Sequence, residues 1–189
     1  MIPGSATSDG TKIFSEKFLD ENYNSFQNLH LSNVGIGTYL GDPNSQTDEM
    51  VINAVKKSIL SGINVIDTAI NYRAQKSERT VGKAILELIN ENKIKRDEVF
   101  ISTKNGYVTN DGDIKEDFMQ YIMRELGKTG IVKEGDISAQ YNCMTVSFLE
   151  DQLKRSRENL GLSCIDSVSY THLRAHETPE HGGWRVGGG

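Results

Sequence analysis

Apolar positions recur with a readable period only from residue 29 onward. Before that, residues 1–28 mix Ser, Asp, Asn and Gly and read as an extended lead-in with room for a short hairpin. Residues 34–40 are a short, Gly-rich stretch of strand character. Over residues 48–61, Ile52, Val55, Ile59 and Leu60 recur at helical spacing, Thr47 can cap the start and Gly62 supplies the stop. Residues 63–67 are a β-branched run with apolar residues on both faces, as in a strand buried within a parallel sheet. Ser77 can cap a second helix, with Val81, Ile85, Leu88 and Ile89 on one face, that runs to about residue 92. Residues 99–104 form a third strand. A polar excursion over residues 105–144 follows, with a helix expected near 117–127. Ser147 and Glu150 make a capping box for a further helix that presents Leu149, Leu153 and Leu160 and stops at Gly161. Cys164, Ile165 and Asp166 then begin a fourth strand.

Strands alternating with helices across short joints predict right-handed βαβ units and a parallel sheet. A (β/α)8 barrel of TIM type and an open doubly wound sheet both fit that alternation. A complete barrel takes about 250 residues, and four units are visible here. A barrel in this chain is therefore truncated after about four βα units. The division expected is a lead-in over 1–28, the half-barrel over 29–166 and a tail over 167–189.

Composition narrows the function classes. The chain has 189 residues, a formal net charge of −5 and 37% hydrophobic residues, which suits one domain with a core. The mild acidity argues against a nucleic-acid partner. No apolar run reaches the ~18 residues of a membrane span, and the start lacks the pattern of a secretory signal. Cys143 and Cys164 show no framework spacing, so a reducing cytoplasm is the expected compartment.

Parallel-sheet enzymes keep their chemistry at the C-terminal ends of strands. Asp67 ends the second strand, Tyr72 lies five residues on, and Lys104 ends the third. Period-two geometry puts Asp67 on the face of Ile63 and Val65, and Lys104 on that of Phe100 and Ser102. Adjacent strands would then aim both side chains into one mouth, with Tyr72 above. A Lys ending a buried strand needs a partner, and Asp67 supplies one. A cation at ~4 Å favours a phenolate by about 4 kcal/mol at an effective dielectric of ~20, before the carboxylate offsets part of it. The three together can deliver a proton to a carbonyl oxygen. Singly, each residue could instead be ordinary: Lys104 snorkelling to solvent, Asp67 capping a turn.

Leu31-Ser-Asn-Val-Gly-Ile-Gly-Thr-Tyr-Leu-Gly, Gly62-Ile-Asn-Val-Ile-Asp-Thr-Ala-Ile-Asn-Tyr72, Ser77-Glu-Arg-Thr-Val-Gly-Lys-Ala and Phe100-Ile-Ser-Thr-Lys104 follow one another in order. Together they resemble the aldo-keto reductase superfamily over about residues 29–166. The resemblance implies a (β/α)8 barrel and hydride transfer between NADPH and an aldehyde or ketone. By motif, Tyr72 is the proton donor, Lys104 makes it a better one and Asp67 pairs with Lys104. Asp67, Thr38 and Tyr39 would border the nicotinamide, and Thr38 and Tyr39 the carbonyl substrate as well. The excursion over 105–144 would lie on the catalytic face, where loops set substrate choice. The oligomeric state is left open.

The family's fourth catalytic residue is a His that ends the fourth strand, five residues after an Asp. Here His172 stands six residues after Asp166. One residue of slip turns a strand side chain to the other face, so His172 takes that role only if a bulge restores the register. Composition also breaks near Ser167: three of the four histidines follow it, with no apolar helical stripe. The string from Val168 to Thr178 resembles translated sequencing-adapter read-through, and the native sequence is expected to end near Asp166, with 167–189 foreign or disordered. In the family the cofactor's phosphates and adenosine are held mostly by the C-terminal half, so the resemblance does not extend to tight NADPH binding by this chain alone.

Three rival readings remain. Tyr72 and Lys76 fit the Tyr-x-x-x-Lys spacing of short-chain dehydrogenases, but Gly35, Gly37 and Gly41 miss the dinucleotide fingerprint and no helix follows at once. His172, His176 and His181 could suggest a metal site, but Pro179 interrupts the helix that would align them, and no metal is expected. The third is a non-catalytic regulatory subunit on the same scaffold, or an inactive truncated fragment.

Overall fold

Period-two burial along one strand reveals the architecture. In the computed structural model, which describes residues 1–170, Ile101, Thr103 and Asn105 of strand β5 (Phe100–Asn105) are buried, while Phe100, Ser102 and Lys104 are half-buried. A strand with two such unlike faces packs against helices on one side only. Strands β3 (Ile36–Gly37), β4 (Val65–Asp67), β5 and β6 (Ser167–Tyr170) form one parallel sheet in that order. The register sets Ile36, Ile66 and Ile101 side by side, and on the other face Gly37, Asp67, Ser102 and Ser167.

Three helices cover the first face: α2 (Ser45–Leu60), α3 (Lys76–Asn90) and α5 (Val146–Leu160). Val55 and Ile59 of α2, Val81, Ile85 and Leu88 of α3, and Leu160 of α5 join Ile66 and Ile101 in one buried cluster. The excursion after β5 builds a smaller core of its own. It contains α4 (Phe118–Ile122) and a π-helical turn over Met123–Gly127, and buries Val108, Tyr121, Ile122 and Leu126 against Phe148 of α5.

The lead-in is more structured than its composition predicts. A helix, α1 (Ser8–Ser15), is capped by Thr7, whose Oγ1 accepts from Gly10 N at 3.0 Å. It packs so closely on the backbone of Asp97 that Gly10 has no room for a Cβ. The hairpin does form, as β1 (Tyr23–Phe26) and β2 (Leu29–Ser32). Its two-residue turn, Gln27-Asn28, has φ of 48° and 66°, as a type I′ turn requires. Ser32 N donates to Asn64 Oδ1 at 2.9 Å and Asn64 Nδ2 to His30 O at 2.9 Å, which fixes the hairpin just before β4, at the N-terminal end of the sheet.

Several boundaries move for identifiable reasons. Asn44 caps α2 by accepting from Thr47 N at 2.9 Å, so Thr47 lies inside the helix. Ser77 does not cap α3: it is buried and its Oγ donates to Thr38 O at 2.7 Å, tying the helix to the loop after β3. Ser147 forms no capping box and donates instead to Ile131 O at 2.7 Å in the excursion. The fourth strand starts at Ser167, beyond the expected boundary at 166. Asp166, just ahead of it, donates its N–H to Ile101 O at 3.1 Å, and its buried carboxylate accepts from Ala6 N and Ile101 N at 2.7 and 2.8 Å and pairs with Arg96 at 2.7 Å. No helix among the described residues is long and apolar enough to cross a membrane.

Candidate active site

The site stands on the face of the sheet that carries no helices, at the strands' C-terminal ends. Asp67 closes β4, and Lys104 stands two residues beyond the register partner of Asp67 on β5. The four-carbon stem of Lys104 spans that offset. Its Nζ donates to Asp67 Oδ2 at 2.5 Å and to Thr68 O at 3.1 Å. The same nitrogen lies 4.7 Å from the centroid of the Tyr72 ring. Asp67 and Tyr72 thus converge on the Lys104 ammonium. A cation over an aromatic face is attracted by about 0.5–2 kcal/mol. That attraction is moderated by water, since the side chains of Lys104 and Asp67 are 28% and 43% exposed.

Tyr39 stacks edge-on against Tyr72, ring centroids 5.0 Å apart at 71°, and remains 65% exposed at the rim. Thr38 lies beneath it and is buried. Its Oγ1 bonds to Thr68 Oγ1 at 2.9 Å and its N–H to Asp67 O at 3.2 Å, so Thr38 stitches the end of β3 to β4. Thr38, Tyr39, Asp67, Tyr72 and Lys104 therefore form one group. His172, together with His176 and His181, lies outside the described residues.

The turn from Tyr72 into α3 gave no signal in the sequence. Arg73, Ala74 and Gln75 have φ of 52°, 51° and 72°, three consecutive left-handed residues without a glycine. Each costs of order 1–2 kcal/mol and persists only where its surroundings enforce it. The enforcing contacts are made by Arg73 and Gln75, which are both buried. Arg73 pairs with Asp48 and donates through Nε to Asp42 O at 3.2 Å. Gln75 donates to Asn110 O at 3.0 Å and to the Tyr121 hydroxyl at 3.3 Å, and accepts from Asn159 Nδ2 at 3.2 Å. Burial pushes the Tyr121 phenol upward, so it meets Gln75 as a neutral hydroxyl.

Two cavities lie in the excursion. One of about 460 Å³ is lined by Asn71, Tyr107, Val108, Thr109, Phe118, Gln140 and Tyr141, and shares the β4–α3 loop with Tyr72. A second, of about 650 Å³, is lined by Met119, Ile122 and Met123 together with the following loop, including Lys128, Lys133 and Glu134, and includes none of the grouped residues.

The Aldo/keto reductase family model matches residues 33–185. Among solved structures, an aldo-keto reductase from Bacillus halodurans in its holo form is similar at 20% identity, over 84% of this chain and 43% of that one, with a TM-score of 0.54. One from Klebsiella pneumoniae, in complex with NADP and acetate, gives 18% identity over 79% of this chain and 38% of that one, with a TM-score of 0.49. One from the silkworm Bombyx mori gives 23% over 77% and 35%, with a TM-score of 0.48. The chain spans less than half the length of each. The Bacillus structure carries the fold argument: four parallel strands of a (β/α)8-type sheet that does not close within the described residues.

Proposed function

The chain belongs to the aldo/keto reductase family, and from that premise we propose an oxidoreductase that reduces an aldehyde or ketone to an alcohol with NADPH, or runs the reverse reaction. The observation that carries this reading is the ammonium of Lys104, 2.5 Å from Asp67 and 4.7 Å from the centre of the Tyr72 ring. A carbonyl that accepts hydride at carbon develops negative charge on oxygen and needs a proton there. The Tyr72 hydroxyl gives that proton, the O–H bond breaking as the new one forms, and leaves a phenolate under the Lys104 ammonium. Asp67 holds the ammonium in place and limits its conformations.

The residues present fit the nicotinamide end of the cofactor. Asp67 uses only Oδ2 for Lys104, and Oδ1 makes no hydrogen bond among the described residues. Asp67 Oδ1 and the exposed face of Tyr39 would meet the ring, with Thr38 supporting both from below. NADPH, when bound, supplies the hydride. The substrate is a small-molecule carbonyl, and a reducing cytoplasm suits the free thiols of Cys143 and Cys164.

The test is loss of absorbance at 340 nm with a reactive aldehyde such as 4-nitrobenzaldehyde. General acid catalysis contributes roughly 10²–10⁴-fold, so Tyr72→Phe should lower kcat by at least about 100-fold with KM little changed. A variant as fast as the parent would overturn the assignment of the proton donor. The sheet of four strands, open on its site-bearing face, favours a second reading: a non-catalytic subunit or an inactive fragment. Folded protein that binds NADPH without turnover would point to the former, and insoluble protein to the latter.

A further inference from the structure

We propose that the excursion after β5 acts on the candidate active site through the turn over 73–75, with Gln75 as the positioning residue that transmits it. The inference rests on the reading of Tyr72 as proton donor and deepens it by naming what aims that side chain. Left-handed backbone is normally adopted by isolated residues, and by Gly, Asn or Asp before others. Arg73-Ala74-Gln75 holds it three times in succession directly after Tyr72. Nothing in those residue types favours the conformation, so it must come from what they touch.

Half of the contacts come from the excursion, and the rest from Asp42, Asp48 and Asn159. Gly112 N donates to Ala74 O at 2.9 Å. The Gln75 amide, 3% exposed, bonds to Asn110 O ahead of α4 and to the Tyr121 hydroxyl within it, while Asn159 of α5 closes its other end. Ion pairs hold the same stretch of chain against α3, Lys76 to Asp113 and Arg79 to both Asp111 and Asp113, each at 2.6 Å. Tyr72 N in turn donates to Ala69 O at 3.1 Å, so the turn is fixed on both sides of the phenol. Release of Gln75 lets the turn relax toward right-handed backbone, and the Tyr72 ring then leaves the Lys104 ammonium. Gln75 touches neither cofactor nor carbonyl and acts only through Tyr72.

The direct readout is the contact itself. In the full chain with 13C-labelled tyrosine and lysine, Tyr72→Phe identifies the Tyr72 ring signals. The parent should show a nuclear Overhauser effect between the Tyr72 ring and the Lys104 ε-methylene. Gln75→Met keeps the volume and removes the hydrogen bonds. It should abolish that effect, while the Tyr39-independent core signals of Tyr23 stay in place. Tyr121→Phe, which removes a single hydroxyl, should fold in any case and weaken the effect by at least half. In NADPH oxidation, Gln75→Met should lower kcat about tenfold with KM unchanged. Persistence of the Tyr72–Lys104 effect in folded Gln75→Met, or in Tyr121→Phe if Gln75→Met does not fold, would overturn the proposal. Failure of the functional reading is seen separately, as a parent protein that shows the contact and no turnover.

Discussion

The residues of the candidate site were readable because their chemistry is demanding. A Lys at the end of a half-buried strand needs a carboxylate, and Asp67 lies on the neighbouring strand within reach. Buried polar residues away from the rim were silent in the sequence, although they obey the same physics. Glu78 lies on α3, fully buried, and accepts from Thr103 Oγ1 at 2.6 Å and Asn159 Nδ2 at 2.9 Å. Burial pushes its carboxyl above the ordinary value of 4.5, and those donors offset only part of the shift. The folded state therefore holds this proton more tightly than the unfolded chain does. Its stabilising contribution is complete below the unfolded value and is lost as pH rises through the higher folded value. Glu78→Gln removes the titration, so urea midpoints of variant and parent, compared from pH 5 to pH 8, should diverge in favour of the variant. A difference that stays constant over that range would refute the shift.

At the scale of elements, helical periodicity located α2, α3 and α5 to within a few residues, because an apolar stripe must face a core. Their ends were less legible. Ser77 and Ser147 look like caps by type, yet tertiary partners claim both hydroxyls, Thr38 O for one and Ile131 O for the other. Polar composition hid α1, whose place depends on Gly10 lying flush against Asp97. The capping of α2 offers a clean check. Asn44→Ala removes the bond to Thr47 N and should cost about 1 kcal/mol of stability by urea titration. Thr47→Ala, at a position that caps nothing, should cost clearly less. Equal costs would contradict the observed cap. The left-handed turn at 73–75 escaped detection for a related reason: no glycine marks it, and the contacts that enforce it come from residues 25 or more positions away.

For the molecule as a whole, alternation of strand and helix predicted a parallel sheet, and the strands lie in the order β3-β4-β5-β6. One face is packed by helices and carries stability. The other carries Asp67 and Lys104 and is open, which leaves Tyr39 exposed beside Tyr72. The division of labour follows from period-two geometry: strands that bury Ile66 and Ile101 must present Asp67 and Ser102 on their other side. Reduction on that open face requires the phenol and the ammonium to act as one device. The decisive measurement is a double-mutant cycle on NADPH-dependent aldehyde reduction, with Tyr72→Phe, Lys104→Met and the double variant. Groups that work as a unit lose their effect together. Each single replacement should therefore lower kcat by about 100-fold or more, and the double variant should be no slower than the worse single one. Losses that multiply in the double variant, or folded parent protein with no turnover, would contradict the account.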